Sequence, residues 1–182
     1  RSVCFFDRPP FVFGSMAHAD TSHDVLVVGG GVVGLGVAWR LGQRGARVAV
    51  LEKGAVGRGA SWAAAGMLAP VAELGFEELD LYALSRESLR RWPTFARDLE
   101  AETGQSVDYR TDGTLVVAPD RDDAAALQRS FRFQQEHGAE VRWLSRDAAL
   151  DLEPFLSPRI AAAVHAPGDH QVDNRRLVEA LR

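Results

Sequence analysis

Three glycines and one acid carry the clearest chemistry in the chain. Gly29, Gly31 and Gly34 fit G-x-G-x-x-G directly after the apolar run Asp24 to Val28. Glu52 closes a second apolar run, Arg47 to Leu51. Glycines at this spacing suit a diphosphate: the first makes a tight turn, the second lets a pyrophosphate approach the backbone, and the third lets helix and strand pack closely. The helix that follows turns its N-terminal amides and the positive end of its dipole toward the phosphates. An acid about 20 residues beyond the glycines is placed to hydrogen-bond a ribose hydroxyl. The run from Asp24 to Glu52 is therefore expected to be strand, glycine turn, helix and strand around a dinucleotide, with the first strand buried on both faces.

Glu52 suits a free 2′-hydroxyl and repels a 2′-phosphate, which disfavours NADP and leaves NAD and FAD. The next stretch, residues 53 to 70, is a glycine-punctuated loop with Gly54, Gly57 and Gly59. It leads to Ser61, a plausible helix N-cap, and then to Ala63, Ala64, Ala65, Gly66 and Met67. Such small side chains allow close backbone approach to a large flat ligand; an Ala-rich helix packed on the sheet explains them as well.

The segments GGGVVG, LEKG and GASWAAAGMLAP resemble the amino-terminal part of FAD-dependent glycine oxidases, thiamine-pathway members of the D-amino-acid oxidase and sarcosine oxidase superfamily. The likeness continues through 111–129 and 141–181, with Asn174 standing where many relatives carry proline. It implies an α/β fold: a Rossmann-like FAD-binding βαβ unit interleaved with part of a mixed antiparallel α+β substrate domain. It implies FAD as cofactor. Gly29, Gly31, Val32, Val33 and Gly34 would lie on the pyrophosphate, Glu52 and Lys53 on the adenosine ribose side, and Ala60, Ser61, Ala65, Gly66 and Met67 toward the middle and flavin end. The implied reaction is oxidation of glycine or a similar small amine such as sarcosine or a D-amino acid, with molecular oxygen as acceptor and hydrogen peroxide as product. A D-amino-acid dehydrogenase that passes electrons to a quinone, and an FAD-binding piece without turnover, stay open beside it.

Family members run to roughly twice this length, so the resemblance places the chain as an amino-terminal half, inactive alone. The residue that holds the substrate carboxylate belongs to the other half, and no catalytic residue is assigned. The expected organisation is a disordered leader over 1–23, with Met16 as the natural start, then the FAD-binding βαβ unit and flavin loop over 24–75. Part of the substrate or cap region follows over 76–172, and 173–182 begin a helix returning to the FAD domain. The resemblance leaves room for a homo-oligomer at full length.

Composition bounds the remaining classes. A net charge of −4 over 182 residues offers no basic surface for nucleic acid or an anionic membrane. The apolar patches of the leader are too short and interrupted for a membrane span. Cys4 is the single cysteine, which excludes an internal disulfide and agrees with a reducing cytoplasm. No two of the five histidines have metal-site spacing, so no metal is expected. Trp39, Trp92 and Trp143 read as packing residues; Trp62 stands apart because it lies inside the flavin-loop motif.

The remaining elements follow from periodicity. A long amphipathic helix over 76–102 is expected to break at Pro93, to point Leu79, Tyr82, Ala83, Leu89 and Phe95 inward, and to end at Gly104. Strands over 105–110 and 114–118 would pair around the turn Thr111-Asp112-Gly113. A helix over 120–137 would be capped by Asp120 and stopped by Gly138. A strand over 141–144, a short helix capped by Ser145, and a strand over 160–165 precede the last helix, whose Leu177, Val178 and Leu181 share a face.

Overall fold

The computed structural model describes the backbone of residues 2–6 and all of residues 22–182. The chain divides into two compact units, one of Arg1–Gly66, Arg97–Asp108 and Asp173–Arg182, the other of Met67–Ala96 and Tyr109–Val172. The first boundary therefore falls after Gly66, where sequence reading drew it after residue 75, and 97–108 belong with the nucleotide-type unit.

The first unit is built on β1 (Ser2–Phe6), β2 (Val25–Val28), α1 (Val32–Gln43) and β3 (Val48–Glu52). Strands β2 and β3 run parallel, with Val25 opposite Val48 and Val28 opposite Leu51. Asp24 sets that register: its carboxylate accepts from the Arg47 backbone N–H and guanidinium, both at 2.9 Å. The Arg47 partner holds the Asp24 carboxyl down at about 2. Val48, Ala49 and Val50 of β3 are buried, as are Leu35, Ala38 and Trp39 of α1. Trp39 is a packing residue whose Nε1 donates to Glu102 at 2.9 Å.

Two expectations change here. Strand β2 is not buried on both faces: Leu26 is 61% and Val28 84% exposed, because β2 lies at the edge of a sheet ordered β1-β3-β2 and its alternate side chains face outward. Within the stretch read as a leader, Ser2–Phe6 pair antiparallel with β3, Ser2 opposite Glu52. A run with Val and Phe has strand propensity, and the outer edge of β3 offers it a ladder. The other leader features, including Phe11 to Phe13 and Met16, lie outside the described residues. The unit is completed by α2 (Ala60–Ala63), the end of α3 (Leu79–Thr103) and α6 (Asn174–Leu181), whose Leu177, Val178, Ala180 and Leu181 are buried.

The second unit holds β4 (Met67–Leu68), most of α3, β5 (Thr114–Ala118), α4 (Arg121–Glu136), β6 (Arg142–Leu144), α5 (Arg146–Leu152), β7 (Ala162–Ala166) and β8 (His170–Gln171). Strand β7 is central, flanked antiparallel by β5 and β6. Val71, Leu74, Tyr82, Val141, Val164 and Ala166 form its main core. Asp120 caps α4 by accepting from Asp122 and Asp123 N–H, and Ser145 caps α5 by accepting from Ala148 N–H. Gly138, at φ +71°, follows α4 as read from sequence.

Helix α3 runs unbroken through Pro93. Proline there removes one bond, to the carbonyl four residues back, in a helix of 25 residues anchored by buried Tyr82, Ala96 and Leu99. Tyr82 is buried and Leu89 and Phe95 half-buried, but Leu79 and Ala83 are exposed. The expected hairpin over 105–118 is absent: Thr114 pairs with Ala166 and Ala118 with Ala162. Residues 105–110 cannot extend into its partner. Asp108 takes φ 51°, the Val107 N–H is held by Glu100 Oε1 at 2.8 Å, and only Arg110 bridges, to Gln171.

Candidate functional site

The site in the first unit begins where β2 ends. Gly29 adopts φ +108°, a conformation that glycine enters without steric cost, and its N–H donates to the Leu51 carbonyl at 2.8 Å. The Gly30 N–H donates to Glu52 Oε2 at 2.8 Å, and the Gly54 N–H to Glu52 Oε1 at 2.9 Å. The Gly30 carbonyl accepts from the Gly57 N–H at 2.8 Å. Gly57, at φ +72°, packs against Val178 so closely that an added Cβ would strike the Val178 Cγ1. The turn is thus clasped by the 53–59 loop, which α6 in turn supports.

Gly31 is the N-cap residue of α1 and has no side chain to cap with. Ser61 supplies one: its Oγ accepts from the Val32 N–H at 2.9 Å. Sequence reading placed Ser61 as the N-cap of its own helix. It lies instead inside α2, whose N-cap is Gly59, and serves α1 from 29 residues away. A Cβ on Gly31 would sit 3.2 Å from that oxygen, and a Cβ on Gly34 would collide with the Gly29 carbonyl oxygen. Glycine at 31 leaves room for the Ser61 hydroxyl, and glycine at 34 lets α1 lie on the turn. Among the described residues nothing accepts from the Gly31, Val33 or Gly34 amides, so three N–H groups remain at the start of α1 for an anion.

Glu52 sits where the ribose acid is expected, but both its oxygens are held by the glycine loops. The Gly54 and Gly30 amides keep its carboxyl below the ordinary range. A carboxylate has about four acceptor positions, so two N–H bonds leave capacity for a ribose hydroxyl. Because the folded carboxyl is lowered, its hold on the turn is complete above the ordinary carboxylate range and is lost as pH falls through the lowered value. Glu52→Gln, which turns one acceptor into a donor facing an N–H, is expected to weaken FAD binding about tenfold at neutral pH. It should also flatten the acid-side fall in affinity that the lowered Glu52 carboxyl predicts for the wild-type chain. A titration of FAD fluorescence between pH 4 and 8 measures both, and equal affinities would remove Glu52 from the site.

The structure joins Gly29, Gly31, Val32, Gly34, Glu52 and Ser61 through direct contacts. Val33 is exposed on the first turn of α1, and Gly66 adopts φ +78° at the end of the loop. Lys53, Ala60 and Ala65 are exposed, with no hydrogen bond to the turn among the described residues. Met67 belongs to the second unit, where it lines an open 620 Å³ cavity with Leu68, Leu74, Tyr82, Leu89 and Trp92. Trp62 lies between two guanidinium groups, Arg58 at 3.6 Å and Arg175 at 4.3 Å from its ring centroid. Neither arginine was singled out from sequence, and no local pattern points to them. Among the described residues no group of three or more His, Cys, Asp or Glu side chains could hold a metal ion, and no helix is long and apolar enough to cross a membrane.

A parallel strand pair joined through a glycine turn and a helix with free N-terminal amides defines a Rossmann-like dinucleotide-binding unit. The chain belongs to the DAO family of FAD dependent oxidoreductases, whose pattern matches residues 24–182. It is 38% identical to the glycine oxidase of Geobacillus kaustophilus over 160 residues, which are 87% of this chain and 42% of that one. It is 36% identical to the bifunctional protein ThiO/ThiG of Synechocystis over 169 residues, 89% of this chain and 23% of that one. The crystal structure of the Geobacillus kaustophilus glycine oxidase superposes with a TM-score of 0.82 at 38% identity, over 87% of this chain and 43% of that chain. The chain thus spans about two-fifths of the length of the glycine oxidase it matches.

Proposed function

We propose that the protein oxidises glycine or a similar small primary or secondary amine, such as sarcosine or a D-amino acid, in the service of thiamine thiazole synthesis. The observation that carries this reading is the join between the glycine turn and the 60–66 loop, made by the Ser61 hydroxyl on the Val32 amide. It links the phosphate end of a dinucleotide site to the small-residue segment that suits a flat ring. The names of the relatives support the substrate class, and the cradle fits FAD: positions 31 and 34 admit no larger side chain without displacement, and three amides are free.

Bound FAD would supply a two-electron acceptor for the hydride on the substrate α-carbon, and oxygen would restore it with release of hydrogen peroxide. The chain's own residues bind and orient. The Gly31, Val33 and Gly34 amides would hold the pyrophosphate, with Gly29 shaping the turn and Val32 tied to Ser61. Glu52 would accept from the adenosine ribose, with Lys53 beside it. Ala60, Ser61, Ala65, Gly66 and Met67 would follow the cofactor toward its ring.

Anaerobic addition of glycine to the FAD-loaded protein tests the reading. Bleaching of the flavin absorbance, followed by peroxide on admitting air, is the expected result. Bleaching without peroxide would point to another electron acceptor. An unbleached flavin with glycine, sarcosine and D-alanine would favour the reading of an FAD-binding piece without turnover.

A further inference from the structure

We propose that Asn174 is a positioning residue for the cofactor loop, acting as the C-terminal cap of α2; this rests on the FAD reading above. A one-turn helix leaves almost all its carbonyls without an internal partner. In α2 the Ala60 carbonyl accepts from Ala64 N–H, while the next two, of Ser61 and Trp62, accept from Asn174 Nδ2 at 2.7 and 3.2 Å. Asn174 is free to do this because the start of α6 is capped by its neighbour: Asp173 Oδ1 accepts from the Arg175 and Arg176 N–H groups at 2.9 and 3.0 Å. The next residue of the helix, Arg175, lays its guanidinium over Trp62, whose ring is also covered by Arg58.

The consequence reaches the phosphate turn. Ser61 is held from behind through its carbonyl, and its hydroxyl holds the first amide of α1. The Asn174 amide therefore fixes the residue that orients the anion-binding end of α1, across 113 positions of sequence. A proline at 174 would start α6 equally well, since the first helical position tolerates the missing N–H, but it would leave both carbonyls without a donor.

That property supplies the test. Asn174→Pro and Asn174→Ala remove the amide while keeping the helix start. Asn174→Asp keeps the shape and faces two carbonyl oxygens with a carboxylate. Hydrogen–deuterium exchange of the peptide covering 58–66 and FAD titration are measured on the full chain for all three. The expected order of damage is Asp greater than Pro and Ala, with exchange over 60–64 and the FAD Kd each raised about tenfold by Pro or Ala and exchange in α6 unchanged. A role in packing alone predicts that Asp behaves as wild type, and that result overturns the proposal. So does loosened exchange with unchanged FAD affinity. If the wild-type chain takes up no FAD, the cofactor reading fails and its flavin consequence with it, while exchange over 60–64 still decides whether Asn174 caps α2.

Discussion

Gly34→Ala is expected to abolish FAD retention and to lower the Tm of the protein by several degrees. The added methyl would collide with the carbonyl oxygen of Gly29 and come within 3.2 Å of the Gly29 carbonyl carbon and Val27 Cγ1. None of these is the tip of a flexible side chain. Two are backbone atoms of the turn itself, and Val27 lies in β2. The strain can be relieved only by moving α1 away from β2, which takes the Val33 and Gly34 amides off the position they hold over the turn. Overpacking of this kind costs about 1–3 kcal/mol or more, and each kcal/mol is worth about 2–4 °C in a chain of this size. Gly36→Ala, two residues on, is the matched control. Its Cβ would meet nothing within 4 Å, and removing a helical glycine is expected to stabilise by about 0.5–1 kcal/mol. Thermal melts and flavin retention on a desalting column measure the pair. A Gly34→Ala protein that stays yellow and melts with wild type would show that α1 does not need its close approach to the turn.

The parts of this site that were legible in the sequence are those whose cause is local. Gly29 needs its φ for a turn between adjacent residues, and Gly34 needs its small size because helix and strand are joined by that same turn. Asp120 and Ser145 likewise cap the helices that begin beside them. What sequence reading placed wrongly depends on partners far along the chain. Ser61 looks like the cap of its own helix, and only the fold shows that its hydroxyl serves Val32. The segment 114–118 has the composition of a hairpin arm, yet its partner is 162–166, more than 40 residues on. Pro93 carries a local helix-breaking signal that packing at both ends of α3 overrides. Asn174 could be seen to depart from the expected proline, but a departure has no meaning until the two carbonyls it serves are known.

Replacement of Asp169 is expected to give the largest loss of stability in the second unit. Its side chain is fully buried, and its two oxygens accept from the N–H groups of Val71 at 3.0 Å and Ala72 at 2.9 Å. These bonds tie the segment after β4 to the turn between β7 and β8. Asp169→Ala would leave two N–H groups unpaired, the Val71 one buried, at about 1–3 kcal/mol each. Asp169→Asn keeps one acceptor and sets an NH2 group against the other N–H, so about half that loss is expected. The pH dependence separates charge from hydrogen bonding. Burial raises the Asp169 carboxyl above its ordinary value, and the Val71 and Ala72 amides, the charge of His170 and the Thr114 hydroxyl only partly offset it. The folded state therefore holds the proton more tightly than the unfolded chain. Its contribution to stability is complete below the ordinary aspartate range and is lost as pH rises through the raised value. Asn carries no such proton, so the stability gap between wild type and Asp169→Asn should be widest at acid pH, narrow as pH rises through that window, and stay constant above it. Urea titrations of both proteins from pH 4 to 8 measure the gap directly. A gap that widens with pH would mean that the ionised carboxylate is the stabilised form, so that the two amides outweigh burial at this position.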